Sequence, residues 1–106
     1  MAKYLVRGNY TPEGLKGLMK DGGSGRRAAV EKAMASVGGS VDAFYFAFGD
    51  TDVFLIVDFP DTVSATALAL TAAAAGTVTL STTPLITPDE VDAAVKKTVA
   101  YAKPGG

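Results

Sequence analysis

Residues 44–60 read FYFAFGDTDVFLIVDFP, and this stretch decides the fold. Its apolar runs predict two strands, at residues 42–48 and 53–59, that fold back on each other at a turn over residues 49–52. Successive residues of a strand point to opposite faces of the sheet, and both faces of this hairpin are apolar. A sheet with one face in water would instead alternate apolar and polar residues. We therefore expect both faces to be covered, the second by another copy of the chain.

The composition excludes several classes of function. A chain of 106 residues is long enough for one domain, which we place at residues 1–106. With 10 basic and 11 acidic residues, it lacks the excess of cations that nucleic acids and membrane surfaces attract. Cysteine and histidine are absent, which removes thiolate chemistry and the commonest metal ligand and general base. We expect no cofactor, no metal site, and no nucleic-acid or membrane partner.

The location expected for the protein is the cytoplasm. The N-terminal residues contain no apolar run long enough for a signal peptide. The longest apolar run, at residues 65–76, is interrupted by Thr71 and is too short to span a bilayer.

The rest of the chain supplies helices and strands in alternation. Before the hairpin we predict a strand at residues 3–10 and helices at 12–20 and 26–37, separated by a glycine-rich break at 21–25. After the hairpin we predict a helix at residues 62–75, an edge strand at 77–83, and a helix from Pro88 to about residue 102. The order is β-α-β-β-α-β with a trailing helix. It predicts an α+β, ferredoxin-like fold, in which an antiparallel sheet carries helices on one face.

The open face of that sheet is the predicted interface. Arg7 and Asp58 are expected to be neighbours there, because the first and third strands are adjacent in this fold. Tyr10 and Tyr45 add phenols. A polar group ringed by apolar residues suits a small ligand cavity between sheet and partner, and it equally suits a satisfied ion pair in a dimer interface. The candidate interface residues are Leu5, Phe54 and Ile56.

Two acids in the hairpin turn, Asp50 and Asp52, are candidate site residues. Aspartate is common in tight turns because its carboxylate accepts hydrogen bonds from nearby backbone amides. The functional alternative makes one of them a general base, or a carboxylate that holds a cationic group.

Arg26 and Arg27 stand at the predicted start of the second helix, where the helix dipole favours acids. One interpretation is that they point into water or pair with a carboxylate such as Asp50 or Asp52. The other is an anion site, in which the amides of residues 23–26 and a guanidinium hold a phosphate or carboxylate. No Walker motif is present, since the lysine and its spacing are missing.

The hairpin turn Gly49-Asp50-Thr51-Asp52 resembles the signature of the GYD domain family, small bacterial proteins named for a glycine-tyrosine-aspartate sequence at this turn. The resemblance implies a ferredoxin-like fold of the dimeric α+β barrel kind and no established activity. Thr51 departs from the pattern, because it stands where the family usually has tyrosine. The other matching segments are the strand ending at Tyr10, residues 22–26, residues 44–52 and residues 82–85.

Three functions remain open. The first is a homo-oligomeric binding or regulatory module for a small anionic or polar metabolite, based on the two arginines beside the glycine-rich segment. The second is a small cofactor-independent enzyme, such as an isomerase, decarboxylase or monooxygenase, that uses the cavity between sheet and helices. It rests on analogy with other proteins of this fold. It would require some of Tyr10, Tyr45, Arg7 and Asp52 to converge in a pocket. The third is a structural assembly subunit without a ligand.

Overall fold

The computed structural model describes residues 2–106, which form a four-stranded antiparallel sheet and three helices. In chain order the elements are β1 (Ala2–Tyr10), α1 (Pro12–Ser36), β2 (Ser40–Phe46), β3 (Val53–Phe59), α2 (Thr62–Ala75), β4 (Val78–Pro84) and α3 (Pro88–Val95). The strands lie in the order β2-β3-β1-β4, which confirms the ferredoxin-like fold and the position of β4 at an edge.

The core lies between the sheet and the helices α1 and α2. On β3, Val57 is fully buried and Phe59 is 1% exposed, and both point to the helices. Met34 of α1 and Ala65 of α2 close over them from the other side. Residues on the opposite face of the sheet remain accessible: Ile56 is 36% exposed. The alternation predicted for β3 is therefore confirmed, and the second face is open in the single chain.

The predicted break between two helices at residues 21–25 is wrong in extent. α1 is interrupted at one residue, Gly22, whose φ of 75° and ψ of 168° are not helical. The residues on either side continue the helix, since a single glycine can absorb the change of direction without the steric cost that a Cβ would add. Arg26 therefore lies about one turn after the kink, in the second half of a long bent helix.

The two glycines in the first half of α1 have different roles. A Cβ at Gly14 would lie 1.9 Å from the carbonyl oxygen of Thr77, the residue that precedes β4. The same oxygen accepts a hydrogen bond of 3.0 Å from the amide of Thr11, the N-cap of α1. Gly17, by contrast, faces open space. Of these two glycines, only Gly14 is therefore required by close backbone packing.

The second strand ends earlier than predicted. β2 ends at Phe46, and Phe48 has a φ of 54°, in the left-handed region where an extended strand cannot continue. The ring of Phe48 nevertheless stacks on that of Phe46, with centroids 5.8 Å apart. The row of aromatic rings that begins on β2 therefore continues into the turn, although the strand does not.

The last helix is also shorter than predicted. Its start is as expected, because Thr87 and Glu90 form a capping box around Pro88. It ends at Val95 and not near residue 102. A short helix is marginal in water unless it packs against something, and within the described part of the chain α3 buries no residue. No helix among residues 2–106 is both long and apolar enough to cross a bilayer.

Candidate functional site

A cleft of about 250 Å³ lies between the sheet and the two helices that cover it. Its walls are almost entirely apolar. Val30 and Met34 of α1 form one side and Leu68 of α2 the other, while Val6 and Leu55 of the sheet form the floor. An enclosed apolar space of this kind, with a few polar groups at fixed positions, is typical of small-molecule sites.

The polar groups that line the cleft are Tyr10, Arg26 and Thr71. The Thr71 hydroxyl already donates a hydrogen bond of 2.8 Å to the carbonyl of Ala67 within α2. Tyr10 and Arg26 lie close enough to each other that the guanidinium affects the titration of the phenol. A cation and a hydroxyl therefore face the same apolar space.

Burial raises the pKa of the Tyr10 phenol above its ordinary value. The Arg26 guanidinium opposes this shift, since a nearby positive charge favours the phenolate, and the Asp52 carboxylate adds to it. Because burial outweighs the arginine, the phenol keeps its proton throughout the neutral range. Tyr10 can therefore donate a hydrogen bond to a group in the cleft.

Asp52 fixes the end of β1 that carries Tyr10. Its carboxylate accepts a hydrogen bond of 2.9 Å from the Tyr10 amide. In return, the Asp52 amide donates to the Asn9 side-chain carbonyl at 2.9 Å. The carboxylate thus ties the hairpin turn to β1, through a bond between residues 42 positions apart that local turn chemistry does not predict. Asp50 is exposed in the same turn and, within residues 2–106, takes part in no side-chain hydrogen bond or ion pair.

The neighbouring arginines of α1 differ in environment. Arg27 is exposed and pairs with Glu31 one turn later, at 3.3 Å. Arg26 is half-buried and lines the cleft, and no carboxylate oxygen of the described chain lies within 4.0 Å of it. The expected ion pair between Arg26 and Asp50 or Asp52 is therefore absent. The amides of residues 23–25, expected to share an anion with the guanidinium, do not line the cleft.

The expectation that Arg7 and Asp58 are neighbours on the open face of the sheet is wrong. Asp58 lies opposite Lys3 and not Arg7, which is paired with Phe54. The Lys3 ammonium contacts the carboxylates of both Asp42 and Asp58, the latter at 2.9 Å. The expected neighbours Arg7 and Asp58 are thus four positions apart in register.

Tyr10 is also on the other side of the sheet from the one expected. It shares the alternation of the buried residues Tyr4 and Val6, so it faces the helices. Tyr45 does lie on the open face, where it is 71% exposed. The structure therefore brings together Tyr10, Arg26 and Asp52, and leaves the other candidate ligand-binding residues outside the cleft: Arg7, Tyr45, Asp50 and Asp58.

A second, polar pocket of about 250 Å³ lies on the open face around Arg7. Asn9, Thr51, Thr79 and Ser81 contribute amide and hydroxyl groups to it. Thr51, the residue that departs from the family signature, therefore faces this pocket and not the apolar cleft. The polar pocket is more open to solvent than the apolar cleft.

A cavity between sheet and helices was expected only by analogy with other proteins of this fold, and the apolar residues that line the cleft were not among the candidate site residues. The spacing of Val30, Ala33 and Met34 correctly predicts a buried side of α1, and all three residues line the cleft. A buried stripe that packs solidly and one that leaves a gap have the same spacing. The alanines of α2 are the signal in the sequence, because side chains this small leave space beside the sheet.

These features define an α+β protein with a ligand-sized cleft on the covered side of its sheet. The chain belongs to the GYD domain family, whose family model matches residues 4–95. Comparison with curated proteins and with solved structures found no match.

Proposed function

We propose that the protein binds a small amphipathic anion in the cleft, with an apolar body between the helices and a carboxylate or similar head group against Arg26. The observation that supports this most directly is the half-buried guanidinium of Arg26, which faces an apolar cleft beside the protonated phenol of Tyr10. The protein would thereby act as a binding or regulatory module.

The partly buried guanidinium of Arg26 favours a ligand with an anionic head group. Burial of a charge is unfavourable unless hydrogen bonds or an opposite charge compensate it. A guanidinium binds a carboxylate through two parallel hydrogen bonds, which are stronger than bonds between neutral groups. The Tyr10 hydroxyl would donate a third hydrogen bond to the carboxylate. Within residues 2–106 no carboxylate plays this part for Arg26.

The apolar walls and the volume set the rest of the ligand. Sites for drug-sized molecules have volumes of roughly 300–1,000 Å³, so a cleft of about 250 Å³ suits a smaller molecule. A short aromatic or aliphatic carboxylic acid satisfies both the size and the single charged end. A nucleotide or a sugar phosphate is too polar for walls made of valine, leucine and alanine.

We propose further that copies of the chain associate through the open face of the sheet. Ile56 is accessible on that face, and Leu5 and Phe54 are half-buried beside it. An apolar surface of this kind on a small protein is typical of an interface. This association is expected to leave the cleft accessible, since the cleft lies on the other side of the sheet.

Binding is tested by calorimetric titration with 3-phenylpropanoate and with its uncharged amide, which has nearly the same shape. We expect the acid to bind more tightly than the amide, and Arg26→Met to weaken binding of the acid by about tenfold or more while leaving the amide unchanged. Arg27→Met is the matched control, because it removes an exposed charge from the adjacent position. Equal effects of the two substitutions, or equal binding of acid and amide, would refute the proposal.

An enzymatic role is the second candidate, favoured by the position of the Tyr10 phenol beside the Arg26 guanidinium in the cleft. A protonated phenol in the cleft would deliver a proton to a bound substrate as a general acid. Tyr10→Phe would then abolish turnover while ligand affinity changes only a few-fold. Mass spectrometry of the bound acid after prolonged incubation distinguishes the two roles, since a binding module returns it unaltered.

A further inference from the structure

The last part of the chain, residues 85–106, leaves the body of the protein as an extended segment that we call the C-terminal arm. All its residues are exposed, including the apolar side chains of Ile86, Val95, Val99 and Tyr101, which are between 68% and 77% accessible. In the described chain, one backbone hydrogen bond ties the arm to the sheet, from the amide of Leu85 to the carbonyl of Lys3.

The arm projects far from the sheet. The radius of gyration is 17.0 Å, compared with about 13 Å for a compact domain of this length. The longest dimension of the molecule is 56 Å, more than twice its shortest dimension of 23 Å. The arm therefore extends from the body of the molecule and does not pack closely on it.

The sequence of the arm nevertheless contains strong signals for a helix. Thr87 and Glu90 form a reciprocal capping box, and Pro88 occupies the first helical position. Ile86 and Val91 occupy the positions of a hydrophobic staple across that cap. Such a sequence favours a helix at this place. Eight residues are too few for a stable isolated helix in water, so its stability must come from packing.

The side that would pack is defined by Val91 and Val95, which are four residues apart and lie on one side of α3. Asp92 flanks this apolar stripe, and within residues 2–106 its carboxylate forms no ion pair. The arm therefore offers an apolar stripe with a negative charge at its border.

The open face of the sheet is complementary to this stripe. It has accessible apolar groups at Phe54 and Ile56, and Arg7 lies directly opposite Phe54 on the adjacent strand. No carboxylate oxygen of the described chain lies within 4.0 Å of Arg7. Another exposed apolar surface, along α2, has no charged residue between Thr62 and Ala75. Charge complementarity thus favours the sheet face over α2.

We propose that the C-terminal arm of one copy packs on the open sheet face of a second copy, with Val91 and Val95 against Phe54 and Ile56 and with Asp92 facing Arg7. This inference rests on the proposed self-association and specifies its contacts. A two-fold arrangement repeats the contact, so that each arm covers the face of the other copy.

The first test places one negative charge on either side of α3 in the full chain. Val95→Asp should raise the dissociation constant of the dimer by about tenfold or more, as measured by sedimentation equilibrium. Ala93→Asp adds the same charge to the opposite side of the helix and should change the constant less than about twofold. Phe54→Glu, on the sheet face, should also disrupt the dimer.

The outcomes separate this inference from the proposed self-association. If Phe54→Glu yields monomers while Val95→Asp leaves the dimer intact, the copies associate through the sheet and the arm has no part in it. If none of these variants alters the mass, both proposals are wrong. Circular dichroism of each variant identifies any that fail to fold, and Ile56→Lys then replaces Phe54→Glu.

The second test shows whether the arm reaches another copy or its own sheet. Arg7→Glu and Asp92→Lys should each weaken the dimer, because each places like charges opposite one another at both contacts. Mixing the two variants restores opposite charges at both contacts of the mixed dimer, so we expect association to return to within about threefold of the wild-type constant. If mixing has no effect and the double variant alone recovers, the arm packs on its own sheet and the proposal is wrong.

Discussion

The two faces of β3 are nearly equal in hydrophobicity and very different in surroundings. Val57 and Phe59 point to the helices and are almost fully buried, while Ile56 on the other face is 36% exposed. The charges follow the same division. Within residues 2–106, the Arg26 guanidinium on the covered side has no acidic partner, whereas Lys3 on the open side contacts two carboxylates. One apolar face thus forms a core with a ligand-sized gap in it, and the other is suited to assembly.

The largest effect expected from this difference is on stability. Phe59→Ala should lower the free energy of unfolding by about 3–5 kcal/mol, because it leaves a cavity in a packed core. Ile56→Ala, three residues earlier on the open face, should cost about 1 kcal/mol or less in the monomer, since much of its side chain already contacts water. The two losses in free energy are compared by urea unfolding at a protein concentration too low for dimers to form. Equal costs would mean that both faces are covered within one chain.

A smaller effect is expected from the glycines of α1, which differ in what they face. Gly14→Ala should destabilise the protein by about 1–3 kcal/mol, because the new methyl group meets the backbone of Thr77. Gly17→Ala should stabilise it by about 0.5–1 kcal/mol, because alanine favours the helix and the site is open. The two melting temperatures should therefore move in opposite directions. Stabilisation by both substitutions would contradict the close approach at position 14.

The smallest effect is expected from the ion pairs of the open face. Lys3 lowers the pKa of Asp42 below its usual range, and that carboxylate in turn raises the pKa of Lys3. The contribution of Asp42 to stability is present above its ordinary pKa and is lost as pH falls through the lowered value. That of Lys3 is present below its ordinary pKa and is lost as pH rises through the raised value.

The ion pairs should therefore contribute between about pH 4 and pH 10 and less at either extreme. The difference in urea midpoint between the wild type and Lys3→Met measures this contribution, which should be small and should decrease in high salt because the groups are exposed. Lys16→Met removes an exposed lysine that forms no ion pair in the described part of the chain, so it should give a difference that is independent of pH. A similar pH profile for both variants would exclude a specific contribution from Lys3.

Most of the fold could be predicted because its signals are local. The bounds of β3 and α2 match the prediction, since an apolar run ends at Pro60 and a helix ends at Gly76 with the left-handed backbone that glycine permits. The break in α1 was overestimated because glycine permits a kink without requiring one. Residues 23–25 remain helical although glycine is unfavourable there.

The site could be predicted only in part. The candidate residues included Arg26, Tyr10 and Asp52. Whether they lie close together depends on the face of the sheet and the side of α1 that each occupies. The alternation of β1 already places Tyr10 with the buried residues Tyr4 and Val6. The partner of Asp58 was beyond prediction, because the register between β1 and β3 depends on the whole sheet. A gap between helix and sheet was expected only by analogy with the fold, because a buried stripe has the same spacing whether it packs solidly or leaves space.

The central claim is that ligand binding and assembly use opposite faces of one sheet. The most direct test is a titration of the protein with 3-phenylpropanoate, followed in amide ¹H–¹⁵N correlation spectra. We predict that the largest shifts occur around the cleft, at Ala33, Ala72 and Val78, and that Arg26→Met abolishes them. Shifts concentrated instead around the polar pocket of the open face, at Arg7, Thr79 and Ser81, would contradict the account.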